Sequence, residues 1–230
     1  MNRLKFSELK SSIFLKITKL GLPTALQMLF EVGLFTASVL LAGTLGAFPQ
    51  AANQIALKLA STTFMIAVGI GAAATIRVSN QKGLGNYLEL RRIAFSNFLL
   101  IFIVMSIFTM GFIALKDILP WMFTDNLEVI GIASSLLIIA GIFQLSDGMQ
   151  AVLLGALRGL QDVNVPSVLT FVAYWIIGFP VSIYFGRIAG MGTFGIWIGL
   201  LIALTSSAIM LFLRFNYLSK KLIQEKHEFT

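Results

Sequence analysis

Apolar residues fall into six long runs separated by short polar stretches, at about 20–46, 48–77, 92–115, 128–157, 163–186 and 192–214. Each run reaches the roughly 20 residues that a helix needs to cross the hydrocarbon of a bilayer. The pattern predicts an all-α fold, an integral membrane six-helix bundle spanning residues 20–214. Ahead of it, residues 1–20 place Phe6, Leu9, Ile13, Phe14, Ile17 and Leu20 at helical spacing among Lys5, Lys10, Lys16 and Lys19. That spacing predicts an amphipathic segment lying at the cytoplasmic interface, and the interrupting lysines exclude a signal peptide, whose apolar core must be continuous. Residues 215–230 read as a basic cytoplasmic tail.

Breakers fall where helices tolerate or exploit them. Pro23 and Pro166 stand in first turns, where a missing N–H removes no hydrogen bond, whereas Gly178 and Pro180 interrupt the fifth run well inside the membrane and predict a kink. Gly155 with Gly159, Gly186 with Gly190 and Gly195 with Gly199 recur at four-residue spacing, which permits close approach of helix backbones.

Composition agrees with a membrane class. The chain is 57% hydrophobic and 12% charged with mean hydropathy +0.90, against roughly 45–50% and 25% in soluble domains. The formal charge of +7 is not the footprint of a nucleic-acid binder, because the basic residues are spread between apolar runs rather than gathered on one face. Arg3, Lys5, Lys10, Lys16 and Lys19 precede the first run, and Arg77, Lys82, Arg91 and Arg92 lie between the second and third. Arg158 follows the fourth, and Arg214, Lys220, Lys221 and Lys226 close the chain. The opposite loops hold only Lys116 and Arg187, so the positive-inside rule predicts two cytoplasmic termini. With no cysteine and a single histidine, His227, the chain offers no thiolate metal site, histidine pair or cysteine nucleophile. It also has no nucleophile elbow or phosphate loop, and no enzyme is expected.

Three charges interrupt the apolar runs: Glu31 in the first, Lys58 in the second and Asp147 in the fourth. An ionisable group at a membrane-helix centre costs roughly 2.5–3.5 kcal/mol and usually faces a bundle interior where it handles an ion or proton. The bland alternative is a carboxyl that only hydrogen-bonds a neighbouring helix. Two carboxyls facing one apolar chamber repel when both ionise, and a sodium ion or proton arriving between them relieves that cost. Gln27 lies one turn before Glu31, Gln144, Ser146 and Gln150 surround Asp147, and Asn53 and Gln54 enter the second helix. These are candidate cavity-lining residues able to complete an oxygen shell for a hard cation, although amides between membrane helices often serve only to hold them together. For Lys58 the favoured expectation is a buried pair with Glu31 or Asp147, the alternative being a side chain that snorkels toward the outer interface.

Taken in order, GLPTALQMLFEVGLF, AANQIALKLASTTFMIAVGIGAAATIRVSNQKGLG, MFTDNLEV, QLSDGMQAVLLGALRGLQDVNVP and YWIIGFPVSIYF resemble the C-terminal six-helix half of the multidrug and toxic compound extrusion (MATE) transporters. The resemblance implies one lobe of a twelve-helix, two-lobed exporter that releases organic cations in exchange for Na⁺ or H⁺. No other cofactor is implied. It also implies that Glu31 and Asp147 match the acids of the family's seventh and tenth helices, both implicated in cation coupling, so a Na⁺ site at these two positions is expected. Implied partners are the lipid bilayer, an organic cation and a second six-helix lobe, supplied by another chain or a second copy. The implied location is the bacterial inner membrane.

Two departures stand out. Position 58 is more usually polar and uncharged in that family, and only one lobe is present, with residues 1–20 in the place of an inter-lobe connector. The second departure leaves open a gene fragment, a split transporter, or a remnant that does not transport. A flippase-like relative moving a lipid-linked glycan is a further alternative, but it would be expected to carry a more strongly cationic cavity than Lys58 alone provides.

Overall fold

The computed structural model describes residues 11–228. Expectations for residues 1–10 and for the last two residues lie outside them. Six helices long and apolar enough to cross a membrane make up the fold. They are α1 (Ser11–Gly43), α2 (Ala47–Gly83), α3 (Tyr87–Ala114), α4 (Leu127–Gly159), α5 (Asn164–Ile188) and α6 (Gly192–Glu228). Most turns between them are only a few residues long, so neighbours run antiparallel. Gly46 and Gly85 take positive φ, 122° and 67°, at the first two reversals, a conformation that is strained for side chains with a Cβ. One end of the bundle gathers Lys82, Arg91, Arg158, Arg214 and Lys226 and is called the basic end. The other holds the 3₁₀ turn Leu119–Met122.

α4 is the central post. It packs on α2, α3 and α6, while α1 leans on α5 and touches α2. Small residues set the closeness of α2 and α4. A Cβ built on Gly71 would stand 3.0 Å from the Ala151 carbonyl oxygen, and one on Gly159 would stand 2.8 Å from the Thr75 oxygen. The Thr75 hydroxyl uses this proximity to donate to the Gly155 carbonyl at 2.8 Å, and Thr109 on α3 donates to Gly141 on α4 at 2.7 Å. Such bonds lock register in a medium where backbone groups have no water to turn to.

The sequence ended the sixth run at residue 214, but α6 continues to Glu228 without a break. The reason is one apolar face that persists past the membrane stretch. Leu211 and Phe215 are fully buried, and Phe215 meets Phe98 of α3 edge-on at 5.4 Å. Arg91 donates to Asn216 and Ser219 at 2.6 Å each, Lys226 reaches the Gly85 carbonyl at 2.8 Å, and Arg214 forms an ion pair with Asp162 at 2.8 Å. The basic residues counted for topology therefore also tie helix ends together. Likewise α1 begins by Ser11, so residues 11–20 extend the first spanning helix rather than forming a separate element.

α5 departs from a simple kink. Around the short α-helical piece Phe179–Ile183, which carries Pro180 near its start, the chain widens into two π-helical stretches, Val172–Gly178 and Tyr184–Ile188. Proline lacks the N–H that would continue the upstream ladder, and the wider register is one way for a membrane helix to satisfy the remaining groups.

At the far end, Asp117 accepts from the Ser134 hydroxyl and from Lys116 at 2.9 Å, joining the α3–α4 corner to α4. The Ser134 hydrogen bond first, then Lys116, holds this carboxyl below its usual range. Its small stabilisation is complete above the unfolded value near 3.9 and lost as pH falls through the lower folded value. Asp117→Asn should therefore lower thermal stability in detergent at neutral pH and lose that difference in acid. A difference constant down to about pH 2 would contradict this assignment.

Candidate functional site

Glu31 stands 12 residues from the far end of α1, about 18 Å at 1.5 Å per residue. Asp147 stands an equal count from the basic end of α4. Both are thus deep in their spans, Glu31 half-buried and Asp147 buried. α1 packs mainly on α5, partly through a 2.6 Å hydrogen bond from the Ser167 hydroxyl to the Pro23 carbonyl, and also sets Phe35 edge-on to Phe143 of α4. The two acids lie within electrostatic reach of each other. The structure thus brings together the pair that the sequence singled out.

The polar candidates divide between the interior and the surface. Gln27, Gln144 and Gln150 are buried, as is Asn53. Gln150 donates through Nε2 to the Tyr174 hydroxyl, which leaves its own carbonyl Oε1 without a donor. Asp147 Oδ1, one turn away on α4, is also buried without a hydrogen-bond partner among the described residues. Two acceptors lacking donors, one turn apart on α4 and with a second carboxyl within electrostatic reach of Asp147, are of the kind that suits a small cation, since a buried unsatisfied acceptor is costly unless charge or water meets it. Among the described residues no group of three or more His, Cys, Asp or Glu gathers to hold a metal ion. A cation here would therefore draw on amide, hydroxyl and water oxygens besides the two acids.

Gln144 and Asn53 have a different share in the site. Gln144 Oε1 accepts from the Thr63 hydroxyl of α2, and Asn53 Oδ1 accepts from the indole N–H of Trp197 on α6 at 2.9 Å. Both bonds fasten α2 to its neighbours, the holding role that membrane amides commonly take. Trp197→Phe should cost about 1 kcal/mol, the scale of interhelical hydrogen bonds in membranes, with its ring packing against Phe143 kept. Unfolding in mixed micelles measures this, and an unchanged midpoint would show that the bond contributes nothing.

Gln54 and Lys58 stand apart. Both lie on the exposed face of α2, and the expected buried pair of Lys58 with Glu31 or Asp147 does not form. The reason is helical phase: Asn53, Ile55, Ala56 and Ala60 occupy the α2 face turned to the bundle, and position 58 falls opposite it. The cation within electrostatic reach of Glu31 is instead Arg158, from the last turn of α4. Among the described residues its Nε is buried without a hydrogen-bond partner, and it lines a cavity of about 400 Å³ with Leu20, Gly21, Thr24, Ala25, Met28 and Val163, on the basic-end side of Glu31.

Sequence reasoning missed Arg158 and Tyr174 as members of the site. Arg158 had been counted only toward topology. Tyr174 sits fully buried in the first π-helical stretch of α5, within electrostatic reach of both acids. No helical period marks it, because the wider register shifts its direction, and π-helical turns often occur at functional sites. The only advance signal was its place four and six residues before Gly178 and Pro180 in the segment YWIIGFP.

The profile of the family described as MatE matches residues 23–184. A probable multidrug resistance protein NorM of Agrobacterium fabrum is 40% identical over 214 residues, covering 90% of this chain and 45% of the relative. The multidrug resistance protein MdtK of Proteus mirabilis is 37% identical over 210 residues, covering 90% and 46%. This chain therefore spans about half the length of the curated relatives it matches. In fold it is similar to the eukaryotic MATE transporter AtDTX14, with TM-score 0.83 and 22% identity over 94% of this chain and 51% of the other. It is also similar to a multidrug resistance MATE family transporter in an outward-facing conformation, with TM-score 0.87 and 19% identity over 96% and 50%.

Proposed function

Since the chain belongs to the MatE family, we propose that it is one six-helix lobe of a secondary active multidrug exporter in which Glu31 and Asp147 bind the coupling cation. The observation that carries this reading is the acid pair itself: two carboxyls on α1 and α4, deep in their spans and electrostatically coupled. Charge so placed is expensive to keep and is retained where it moves ions. The unpartnered acceptors Asp147 Oδ1 and Gln150 Oε1 support the same reading.

The cycle follows from competition for negative charge. Na⁺ or H⁺ entering from outside neutralises the pair and favours one arrangement of the lobe. An organic cation is released outward in exchange, because the two ligands favour different states and each weakens the other's hold. α1 is the element best placed to move, since it packs mainly on α5 and meets α4 through side chains such as Phe35 against Phe143 rather than by close backbone approach. Alternating access requires a second six-helix lobe against which this one rocks. The basic end faces the cytoplasm of a bacterial inner membrane in this reading, with both termini on that side.

The test is ethidium transport in everted vesicles from cells expressing the chain with its second lobe, driven by an imposed Na⁺ or H⁺ gradient. Gradient-dependent ethidium movement is expected. Movement indifferent to both gradients would refute ion coupling, and none at all with both lobes inserted would refute export.

A further inference from the structure

One guanidinium at the basic end has nothing to bind. Arg158 is half-buried, and among the described residues no acid lies within ion-pair distance of it. Its Nε lacks a hydrogen-bond partner among the same residues. Asp162, the acid four positions on, is already held by Arg214. A charge drawn out of water without a partner is costly, so an anion from outside the chain is called for. Depth decides which anions are available. Arg158 stands 15 residues from Phe143, the midpoint of α4, roughly 22 Å along the helix. Half the hydrocarbon is only about 15 Å thick, so the guanidinium sits among lipid headgroups at the basic end.

The cavity of about 400 Å³ beside Arg158 is apolar in its other walls. Leu20, Ala25, Met28 and Val163 present hydrocarbon, Gly21 presents no side chain, and the Thr24 hydroxyl is spent on the Leu20 carbonyl at 2.8 Å. Gly21, Ala25 and Met28 are exposed, so the cavity stands open along α1, and Lys19, one position before its wall, is exposed too. The gap of about 470 Å³ at the opposite end has no charged residue among its described walls, so a cation is not a feature of every such opening. We infer that the Arg158 cavity binds the headgroup of an anionic phospholipid from the basic-end leaflet, with the phosphate on the guanidinium and the glycerol and first methylenes along Gly21, Ala25 and Met28. The planar guanidinium donates two parallel N–H bonds to phosphate oxygens, and basic pockets between membrane helices on the cytoplasmic side hold such headgroups. A soluble phosphate would meet the charge but leave the apolar walls unfilled. Lipid is the anion present in excess at this depth, whereas a protein carboxylate has to be brought there by a second body. The inference needs only that the helices cross a bilayer, and neither the acid pair nor export enters it.

The test takes the protein from native membranes, with any lobe that accompanies it, and titrates it with dioleoyl phosphatidylglycerol under native mass spectrometry. One phosphatidylglycerol should be retained per chain at a concentration at least tenfold below that needed for dioleoyl phosphatidylcholine. Arg158→Gln should erase this preference, and Arg158→Lys, which keeps the charge without the fork, should retain part of it. Ala25→Phe, which fills the cavity and leaves the charge in place, should also erase it. Arg92→Gln, which removes an exposed cation at the same end, should leave it unchanged. A phosphatidylglycerol carrying a diazirine near its glycerol should label residues 20–28 in wild type and lose that labelling in Arg158→Gln. The wild-type preference persisting in Arg158→Gln, or labelling spread evenly over the six helices, would overturn the inference. Displacement of the lipid by millimolar glycerol 3-phosphate would overturn it by making a soluble phosphate ester the ligand. A wild-type protein that retains no lipid, but sheds an accompanying lobe in Arg158→Gln, would overturn it by giving the guanidinium to a protein carboxylate. Failure of ion coupling in the vesicle assay would leave these readouts untouched.

Discussion

Glu31→Gln and Asp147→Asn should each reduce cation-dependent ethidium efflux to the level of cells without the protein, while the amount inserted in the membrane stays the same. Either substitution keeps shape and hydrogen-bonding capacity and removes only the ability to carry negative charge. A purely structural carboxyl would tolerate the exchange, because an amide can still bond a neighbouring helix, and efflux would persist. The effect should be large for each variant alone. If the two acids, which lie within electrostatic reach of each other, act on one cation as proposed, removing one leaves a half-site rather than half the activity, and the double variant should be little worse than either single one. Additive partial losses would instead mean that the acids serve separate steps. The controls are recovery of each variant from membranes and its melting temperature in detergent. Neither should fall, since removing a buried charge relieves a desolvation cost.

The second large effect concerns the seam on which the site stands. Gly155→Leu should destabilise the lobe by about 3 kcal/mol or more, at or beyond the upper end of overpacking effects. A Cβ at that position meets the carbonyl oxygen, carbonyl carbon and Cα of Gly71, and backbone cannot rotate away as a side-chain tip can. The cost reaches the function by a direct route. α2 and α4 form the most extensive contact in the bundle, and α4 carries both Asp147 and Gln150. Gly69→Ala, two residues before Gly71 but on the exposed side of α2 with open space around its Cβ position, should be neutral. Steric-trap unfolding in bicelles separates the outcomes. Equal stability of the Gly155→Leu and Gly69→Ala proteins would show that the helices separate freely and that their contact does not position the site.

The six spans were legible because nothing but a bilayer crossing explains runs of this length and apolarity. The two acids were legible because their cost within such runs is high. The end of α6 was not legible from hydropathy, which falls after residue 214 as lysines enter. The helix persists through a narrower stripe that includes Leu211, Phe215 and Leu222, which a whole-window average dilutes. Lys58 shows a different limit. Depth along a helix can be counted from the sequence, but which neighbour a side chain meets depends on how the helices are rotated, and α2 turns Asn53 inward and Lys58 outward. Tyr174 eluded the sequence because a π-helical stretch breaks the 3.6-residue period on which such readings rest. Arg158 eluded it for another reason: its charge was already accounted for by topology, and one residue can serve both roles.

Infrared difference spectroscopy of the purified protein tests the acid pair most directly, following carboxyl and carboxylate vibrations as Na⁺ is added and as pH is changed. The expected result is a carboxyl signal that responds to one or both cations in wild type, with Glu31→Gln and Asp147→Asn each removing part of it. Difference spectra of the double variant that superimpose on those of wild type would contradict the assignment of these two acids as the place where the coupling cation binds.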